Sequence, residues 1–309
     1  MAQISESDIG KRVTIRLHDG DGYRDIVGHL LSTTTLRNRH GQIVEFDPAE
    51  IYIWREINEV PRTATSGAPR SMRIYELEAI AASTWRAQEE VNLNGWLLRA
   101  DIGITKRANS ALVLTPEFEA AEQIEQVIDW YLPRNLDPTI ILIPELHANL
   151  DTQLIARGFD NLIDCNVMVK DYSPAEVGFD YEVQATPSNE WLAAQGDQKI
   201  IEILKRTPAI YISIREGERV IAVGRAGLTD EWAVLSRLWV DPDYRGRGFG
   251  RRLLQALELE AARSKIALQV TVENKVAVNL YESAGYVTHH IYRIRELRRQ
   301  INLLQDSCC

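Results

Sequence analysis

The chain has 309 residues, more than one compact domain usually needs, so two or three units are expected. With 45% hydrophobic and 26% charged residues it reads as soluble and globular, and its longest apolar runs, such as Thr139–Ile143, are strand-sized and too short to cross a bilayer. A net charge of −9 argues against broad nucleic-acid binding but leaves room for a local basic pocket, while three cysteines make no disulfide framework and fit a reducing cytoplasm.

Residues 1–58 alternate apolar and polar in short stretches, at Val13–Leu17, Ile26–Leu31, Ile43–Phe46 and Ile51–Trp54. Turn clusters such as Asp19–Gly22 and His40–Gly41 separate them, the pattern of a small all-β barrel. His18, His29 and His40 are evenly spaced but fall in different strands and turns, without a Cys or carboxylate pattern, so no metal site is expected. Residues 59–71, from Glu59-Val60-Pro61 to Arg70-Ser71, are poor in large apolar residues and rich in chain breakers, and read as a linker.

From Met72 to Tyr172 helices alternate with strands. Ile74, Leu77, Ile80 and Ala81 have helical spacing that continues towards Trp85. Trp96–Arg99 and Ala111–Leu114 read as strands, Phe118–Leu132 as a helix, Thr139–Ile143 as a buried strand and the stretch to Ala156 as a further helix. A strand through Asn166–Val169, carrying Cys165 as a core residue, closes this segment. The rhythm repeats over 173–296. Helical Glu190–Gln195 and Lys199–Arg206 lead to strands Ala209–Arg215, Val220–Leu228 and Trp232–Val240; a helix through Leu253–Ala261, strand Ile266–Val272, helix Lys275–Ser283 and strand Tyr286–Ile294 follow. Both segments finish helix, Gly-aromatic, strand (Gly158-Phe159 and Gly285-Tyr286), which reads as an internal duplication. Residues 297–309, ending in Cys308-Cys309, read as a tail.

The chemistry concentrates in the second copy. Strand Trp232–Val240 runs into Asp241-Pro242 and then Arg245-Gly246-Arg247-Gly248-Phe249-Gly250-Arg251, which opens an amphipathic helix. Glycines let the backbone approach a ligand closely, and free N–H groups at a helix start bind phosphates, with Arg245, Arg247 and Arg251 adding charge. Farther on stand Asn274, Ala277, Leu280, Tyr281 and Gly285. The joint pattern over roughly residues 180–296 strongly resembles the GNAT superfamily of N-acetyltransferases. The resemblance implies an α/β fold with mixed, mostly antiparallel sheets in tandem, and acetyl-CoA as co-substrate, with no metal.

Carried over residue by residue, the resemblance implies that Leu238, Trp239 and Val240 bind the pantetheine arm and polarise the thioester carbonyl through a backbone N–H. Arg245, Gly246, Arg247, Gly248, Phe249, Gly250 and Arg251 would hold the pyrophosphate, Asn274 the pantetheine from the other side, and Tyr281 would protonate the departing thiolate. Tyr281 also reads as an aromatic packed beneath the sheet. Relatives place a Glu base on the strand before the loop; here that strand has no internal carboxylate, leaving Glu231 at its start and Ser236 inside it, linked by water.

The first copy has Thr115-Pro116-Glu117-Phe118-Glu119 where a glycine loop would stand, and two carboxylates there would repel phosphate. It is expected to bind no CoA and to wall the acceptor site with Arg99, Arg107, Asn109 and Ser110. The whole layout, a small SH3-like barrel followed by two such copies, resembles a group of actinobacterial acetyltransferases that includes N-acetylglutamate synthases of the corynebacterial type. Arg107–Ser110 and His289–Arg293 carry that likeness. His289 and His290 face opposite sides of their strand, so at most one reaches the acceptor. A dicarboxylate amino acid needs cations, and Arg99, Lys106, Arg107, Arg225 and Arg237 are available. The reading is therefore a cytoplasmic N-acetyltransferase of a small polar amine, L-glutamate first, with a homodimer left open. An amino-sugar or thiol-conjugate acetyltransferase of the mycothiol synthase type and a non-catalytic acetyl-CoA-binding regulator are the alternatives.

Overall fold

The computed structural model describes residues 4–20, 22–38, 42–56, 70–116, 120–173, 177–196 and 198–298. His40, most of the linker, Glu117–Glu119 and the tail with Cys308 and Cys309 lie outside the described residues. Chain contacts divide the protein into two units, Met1–Ala68 and Pro69–Cys309.

The first unit contains β1 (Arg12–Asp19), β2 (Gly22–Leu30), β3 (Thr35–Asn38), β4 (Ile43–Glu45) and β5 (Ile51–Glu56). Alternation in β1 buries Val13, Ile15 and Leu17 on one face, where Leu30, Leu36 and Phe46 complete a small core. The strands form an antiparallel sheet in the order β4-β3-β2-β1-β5. The sequence leads one to expect a closed barrel; the described strands form an open sheet whose edge strands β4 and β5 are not paired with each other. His18 packs against Tyr23 and Tyr52 rather than near a second histidine.

The second unit runs α1 (Arg70–Ser83), β6 (Glu89–Leu93), β7 (Trp96–Ala100), β8 (Ala111–Val113), α2 (Ala120–Tyr131), β9 (Thr139–Leu142), α3 (Ala148–Ala156) and β10 (Asp160–Asp171). It continues with β11 (Glu182–Gln184), α4 (Asn189–Ala194), α5 (Ile201–Leu204), β12 (Ala209–Glu216), β13 (Arg219–Leu228) and β14 (Trp232–Val240). The last elements are α6 (Phe249–Ala261), β15 (Lys265–Thr271), α7 (Lys275–Ser283) and β16 (Val287–Glu296). Among the described residues no helix is long and apolar enough to cross a membrane.

Both copies share one eleven-stranded sheet, in the order β11-β12-β13-β14-β15-β10-β16-β9-β8-β7-β6. The centre of that order is an exchange. β10, the last strand of the first copy, lies between β15 and β16 of the second, and β16 lies between β10 and β9. Each copy thus lends its final strand to the other. The parallel pairs β8–β9 and β14–β15 flank this centre symmetrically. Met168 of β10 is fully buried in the core that α6 closes over β12–β15, so the exchange is cemented by apolar burial as well as ladder hydrogen bonds. Arg293 of β16 adds ion pairs to Asp164 of β10 at 2.7 Å and to Asp151 of α3 at 2.9 Å.

Candidate active site

The site begins with a strand that loses one neighbour. β14 and β15 pair in parallel from Trp232–Lys265 to Leu235–Leu268, and there the pairing ends. Beyond it β14 stays with β13 while β15 stays with β10 as far as Thr271–Cys165, so the sheet opens into a wedge. A bulge coincides with the parting: Arg237 and Leu238 together oppose Gly224 of β13. Arg237 sits at φ 60°, a left-handed conformation that costs a non-glycine residue about 1–3 kcal/mol. α4 secures it. Gln195, just past the helix, donates from Nε2 to the Arg237 carbonyl at 3.2 Å and accepts from Arg237 Nη2 at 3.4 Å. Trp191 Nε1 donates to the Gly224 carbonyl across the bulge at 3.2 Å.

After β14, Asp241 caps a short turn by accepting from Asp243 N at 3.0 Å, and the loop then passes through Gly246 and Gly248 at φ 75° and 86°. These left-handed steps aim the first turn of α6 at the wedge. The N–H groups of a first helical turn have no intrahelical acceptor, so this turn presents donors and a positive dipole end. Arg245 donates to the Val240 carbonyl at 3.1 Å, and Arg251 reaches Ser283 Oγ of α7 at 2.5 Å. Asn274 caps α7, accepting from Ala277 N at 3.1 Å. Between the two helices lies a cavity of about 660 Å³, lined by Leu238, Trp239, Val240, Arg245, Gly246, Gly248, Phe249, Gly250, Arg251, Asn274 and Tyr281. Of the residues expected to hold the cofactor only Arg247 is outside this lining; its guanidinium lies over the Tyr244 ring, 5.1 Å from the centroid. Tyr244, Val276, Ala277 and Leu280 join the lining, and the exposed Val276 was not singled out by its sequence position.

The donor set and volume fit an elongated ligand with a phosphate-bearing middle. Replacing Gly248 tests this. Its φ of 86° is unfavourable for valine, whereas a Cβ there meets nothing within 4 Å, so the substitution should disturb the loop more than the packing. Gly248→Val is expected to weaken acetyl-CoA binding about tenfold or more in calorimetry, while the strain of about 1–2 kcal/mol lowers the unfolding temperature by only a few degrees. Wild-type affinity in that variant would remove the loop from the binding site.

Tyr281 closes the inner end of the cavity. It is 8% exposed, and burial pushes its phenol up to about 12, which keeps the proton on oxygen throughout the neutral range. Tyr286, 5.9 Å away between ring centroids, gives its own hydroxyl to Glu258 Oε1 at 2.8 Å.

The opposite face of the wedge is polar and is built by both copies. Leu235 and Leu268 point into the core under α6, so the next residues, Ser236 and Gln269, point the other way. There Trp85, just after α1, carries Arg107 at 4.8 Å and Arg225 of β13 at 5.4 Å from its ring centroid. Arg225 is 1% exposed; it donates to Thr207 Oγ1 at 2.6 Å, to the Thr84 carbonyl at 3.0 Å and, at 3.5 Å, to Ser236 Oγ. Arg107 donates to Gln269 Oε1 at 3.3 Å. Behind them Arg99 is buried and donates to Ser110 Oγ at 2.9 Å. Among the described residues no carboxylate stands within ion-pair distance of Arg99, Arg107 or Arg225. Burial pushes the Arg99 and Arg225 guanidiniums below their ordinary pKa, and for Arg225 the neighbouring Arg107 adds to the effect.

The remaining expected residues separate. Asn109 is committed to its own loop, accepting from Asp101 N at 2.8 Å and donating to the Thr105 carbonyl at 2.8 Å. Arg237 serves the bulge through Gln195, and Lys106 pairs with Glu296. Glu231 is not brought to the wedge. It stands at the far end of β14, roughly 20 Å from Leu238 at the usual rise per residue, half-exposed and 3.6 Å from Lys265. This corrects its placement as a base: the hairpin before β14 turns at the end of the strand opposite the splay. Ser236 is buried at the parting itself and accepts from Arg225.

A protein-family model described as "Probable histone acetyltransferase Rv0428c C-terminal" matches residues 71–295. The chain is 29% identical over 302 residues to the probable histone acetyltransferase Rv0428c of Mycobacterium tuberculosis, spanning 93% of this chain and 95% of that protein. It is 26% identical to the uncharacterized N-acetyltransferase YobR of Bacillus subtilis, over 72% of this chain and 98% of the relative. In fold it is similar to a GCN5-related N-acetyltransferase from Kribbella flavida, with a TM-score of 0.58 at 14% identity over 74% of this chain and 96% of that one.

Proposed function

Because the chain belongs to the family of the Rv0428c C-terminal region and is a GNAT-type N-acetyltransferase, we propose that it transfers the acetyl group of acetyl-CoA to the amine of a small, carboxylate-bearing acceptor, with L-glutamate the first candidate. That is the N-acetylglutamate synthase reaction of arginine biosynthesis. The observation that carries the acceptor class is the group of Arg99, Arg107 and Arg225, which has no carboxylate partner among the described residues. Guanidiniums taken out of water are stabilised by anions; Glu78 shares a cavity with Arg99 and Arg107 without an ion pair to either, and an acceptor carboxylate would supply the direct contact.

In this reading acetyl-CoA enters along the cavity between α6 and α7. The first turn of α6, with Arg245 and Arg251, holds its pyrophosphate, and the unpaired edge of β14 takes the pantetheine arm and polarises the thioester carbonyl. The amine approaches from the face of Trp85, its carboxylates on the guanidiniums. Tyr281 gives its proton to the thiolate as the C–S bond breaks.

Release of CoA thiol across a panel of amines tests the acceptor. The panel holds L-glutamate, L-aspartate, L-glutamine, a cysteine–amino-sugar conjugate and a lysine-rich histone-tail peptide. Glutamate should turn over fastest and the peptide slowest, because arginines at the mouth repel a cationic chain. Arg107→Ala should raise KM for glutamate at least tenfold with kcat little changed, as loss of a charge-assisted contact made equally in ground and transition states requires. Preference for the histone-tail peptide would overturn the acceptor class while leaving the acetyltransferase activity intact.

A further inference from the structure

The second copy has a candidate acid in Tyr281 but no carboxylate inside β14, so the proton leaving the amine has no acceptor on that strand. The polar face of the wedge supplies one from the first copy. Glu78 of α1 is 3% exposed and lines a small cavity together with Trp85, Arg99, Arg107, Gln269 and Tyr292. It is the only carboxylate among the described lining residues. The cavity holds about 10 Å³, room for about one water molecule. Gln269, at its other wall, is the first residue of β15 beyond the end of the pairing with β14. A single water in this cavity would stand between Glu78 and the wall formed by Gln269, where the sheet parts.

Glu78 is also held in place. Its Oε1 is 2.9 Å from His290 Nε2, and His290 Nδ1 is 2.9 Å from His289 Nδ1. His290 lies on the same face as Gln269, since Val167 of β10 is directly opposite both residues in its two ladders. The exchange of β10 and β16 is therefore what brings the histidine under α1 beside the wedge. The groups facing Glu78 are His290 and Tyr292 from β16, Arg99 from β7 and Arg107 from the turn before β8, with Cys165 of β10 adjoining Tyr292.

We infer that Glu78, fixed by His290, is the general base of the acetyl transfer, reached from the amine through one water. This rests on the acetyltransferase reading above. The acceptor arrives as an ammonium and first gives one proton to solvent. Its nitrogen then attacks the thioester carbonyl carbon; the C–N bond forms and the C–S bond breaks. The second proton on nitrogen passes through the water to the Glu78 carboxylate, the Tyr281 phenol proton passes to sulfur, and solvent returns both residues to their starting states.

The test is the pH profile of kcat/KM, with acetyl-CoA affinity measured by calorimetry on each variant of the full chain. Glu78→Gln should bind acetyl-CoA as wild type does, lose roughly 10²- to 10⁴-fold in kcat/KM, and lose the acid limb of the profile. His290→Gln should lower the rate less and displace that limb. A purely charge-balancing Glu78 would change stability or acceptor KM and leave the limb in place. If Glu78→Gln does not bind acetyl-CoA, Glu78→Asp decides: a lowered rate with the limb retained supports the base, and an unaltered rate overturns it. Glu78→Gln within threefold of wild type, with its acid limb intact, overturns it outright. Wild type that binds acetyl-CoA yet acetylates no amine would instead sink the function on which the inference rests.

Discussion

Tyr281→Phe should lower kcat by roughly 10²- to 10⁴-fold, the range for loss of a positioned general acid, while leaving acetyl-CoA affinity almost unchanged. The tyrosine is buried in the inner wall of the cavity, so phenylalanine keeps its packing and removes only the hydroxyl. Because burial holds the phenol near 12, the donor is protonated throughout the working range, and no basic limb below about that pH should belong to it. The same burial makes a stability contribution with a definite sign. The neutral phenol is favoured in the folded chain, so the contribution is complete below the ordinary tyrosine value and fades as pH climbs towards 12. The check is stopped-flow or steady-state thiol release beside calorimetric binding. An unchanged kcat would remove Tyr281 from the acid role and leave it as a packed aromatic.

Cutting the chain between the copies should be more damaging still. A fragment of residues 173–298 lacks β10, and so loses the strand that pairs with β15 on one side and β16 on the other. β15 would expose a bare edge and β16 would be detached from its own copy, while Met168 would vanish from the core beneath α6. Unsatisfied strand edges and an open apolar face favour aggregation over folding. Expressed alone, the fragment should be insoluble or lack near-ultraviolet circular dichroism, and adding residues 70–172 in trans should restore both order and acetyl-CoA binding. A folded, monomeric fragment that binds acetyl-CoA unaided would show that the exchange is dispensable.

These expectations mark what the sequence could and could not convey. The glycine loop, the strand before it and the helix after Asn274 were legible because their residues are contiguous and their geometry is local: positive φ at Gly246 and Gly248, capping by Asn274. The strands β6 and β11 were not, since Glu89–Leu93 is a polar edge and Glu182–Gln184 only three residues long, and neither carries a clear alternation. The exchange was invisible for a deeper reason. A strand's periodicity records which face is buried, whereas its neighbours are set by topology, so β10 and β16 look like ordinary final strands of their own copies. The same holds for the acceptor face. Arg107 and Arg225 meet across more than a hundred residues on a shared tryptophan, and Glu78 reads in sequence as one polar residue on a helix. Arg237 and Asn109 had the right chemistry for a ligand and are used by the bulge and the loop instead.

The most direct measurement is the stoichiometry of acetyl-CoA binding to the full chain by calorimetry. The two copies are similar in plan, but the second carries the glycine turn, the wedge beyond Leu235–Leu268 and Tyr281, whereas the first has Thr115-Pro116-Glu117-Phe118-Glu119 in its sequence where the glycines would stand. One acetyl-CoA per chain, weakened about tenfold or more in Gly248→Val and kept in Tyr281→Phe, is the expected result. Two per chain, or one that is indifferent to Gly248→Val, would contradict a single site built around the loop that ends at Gly250.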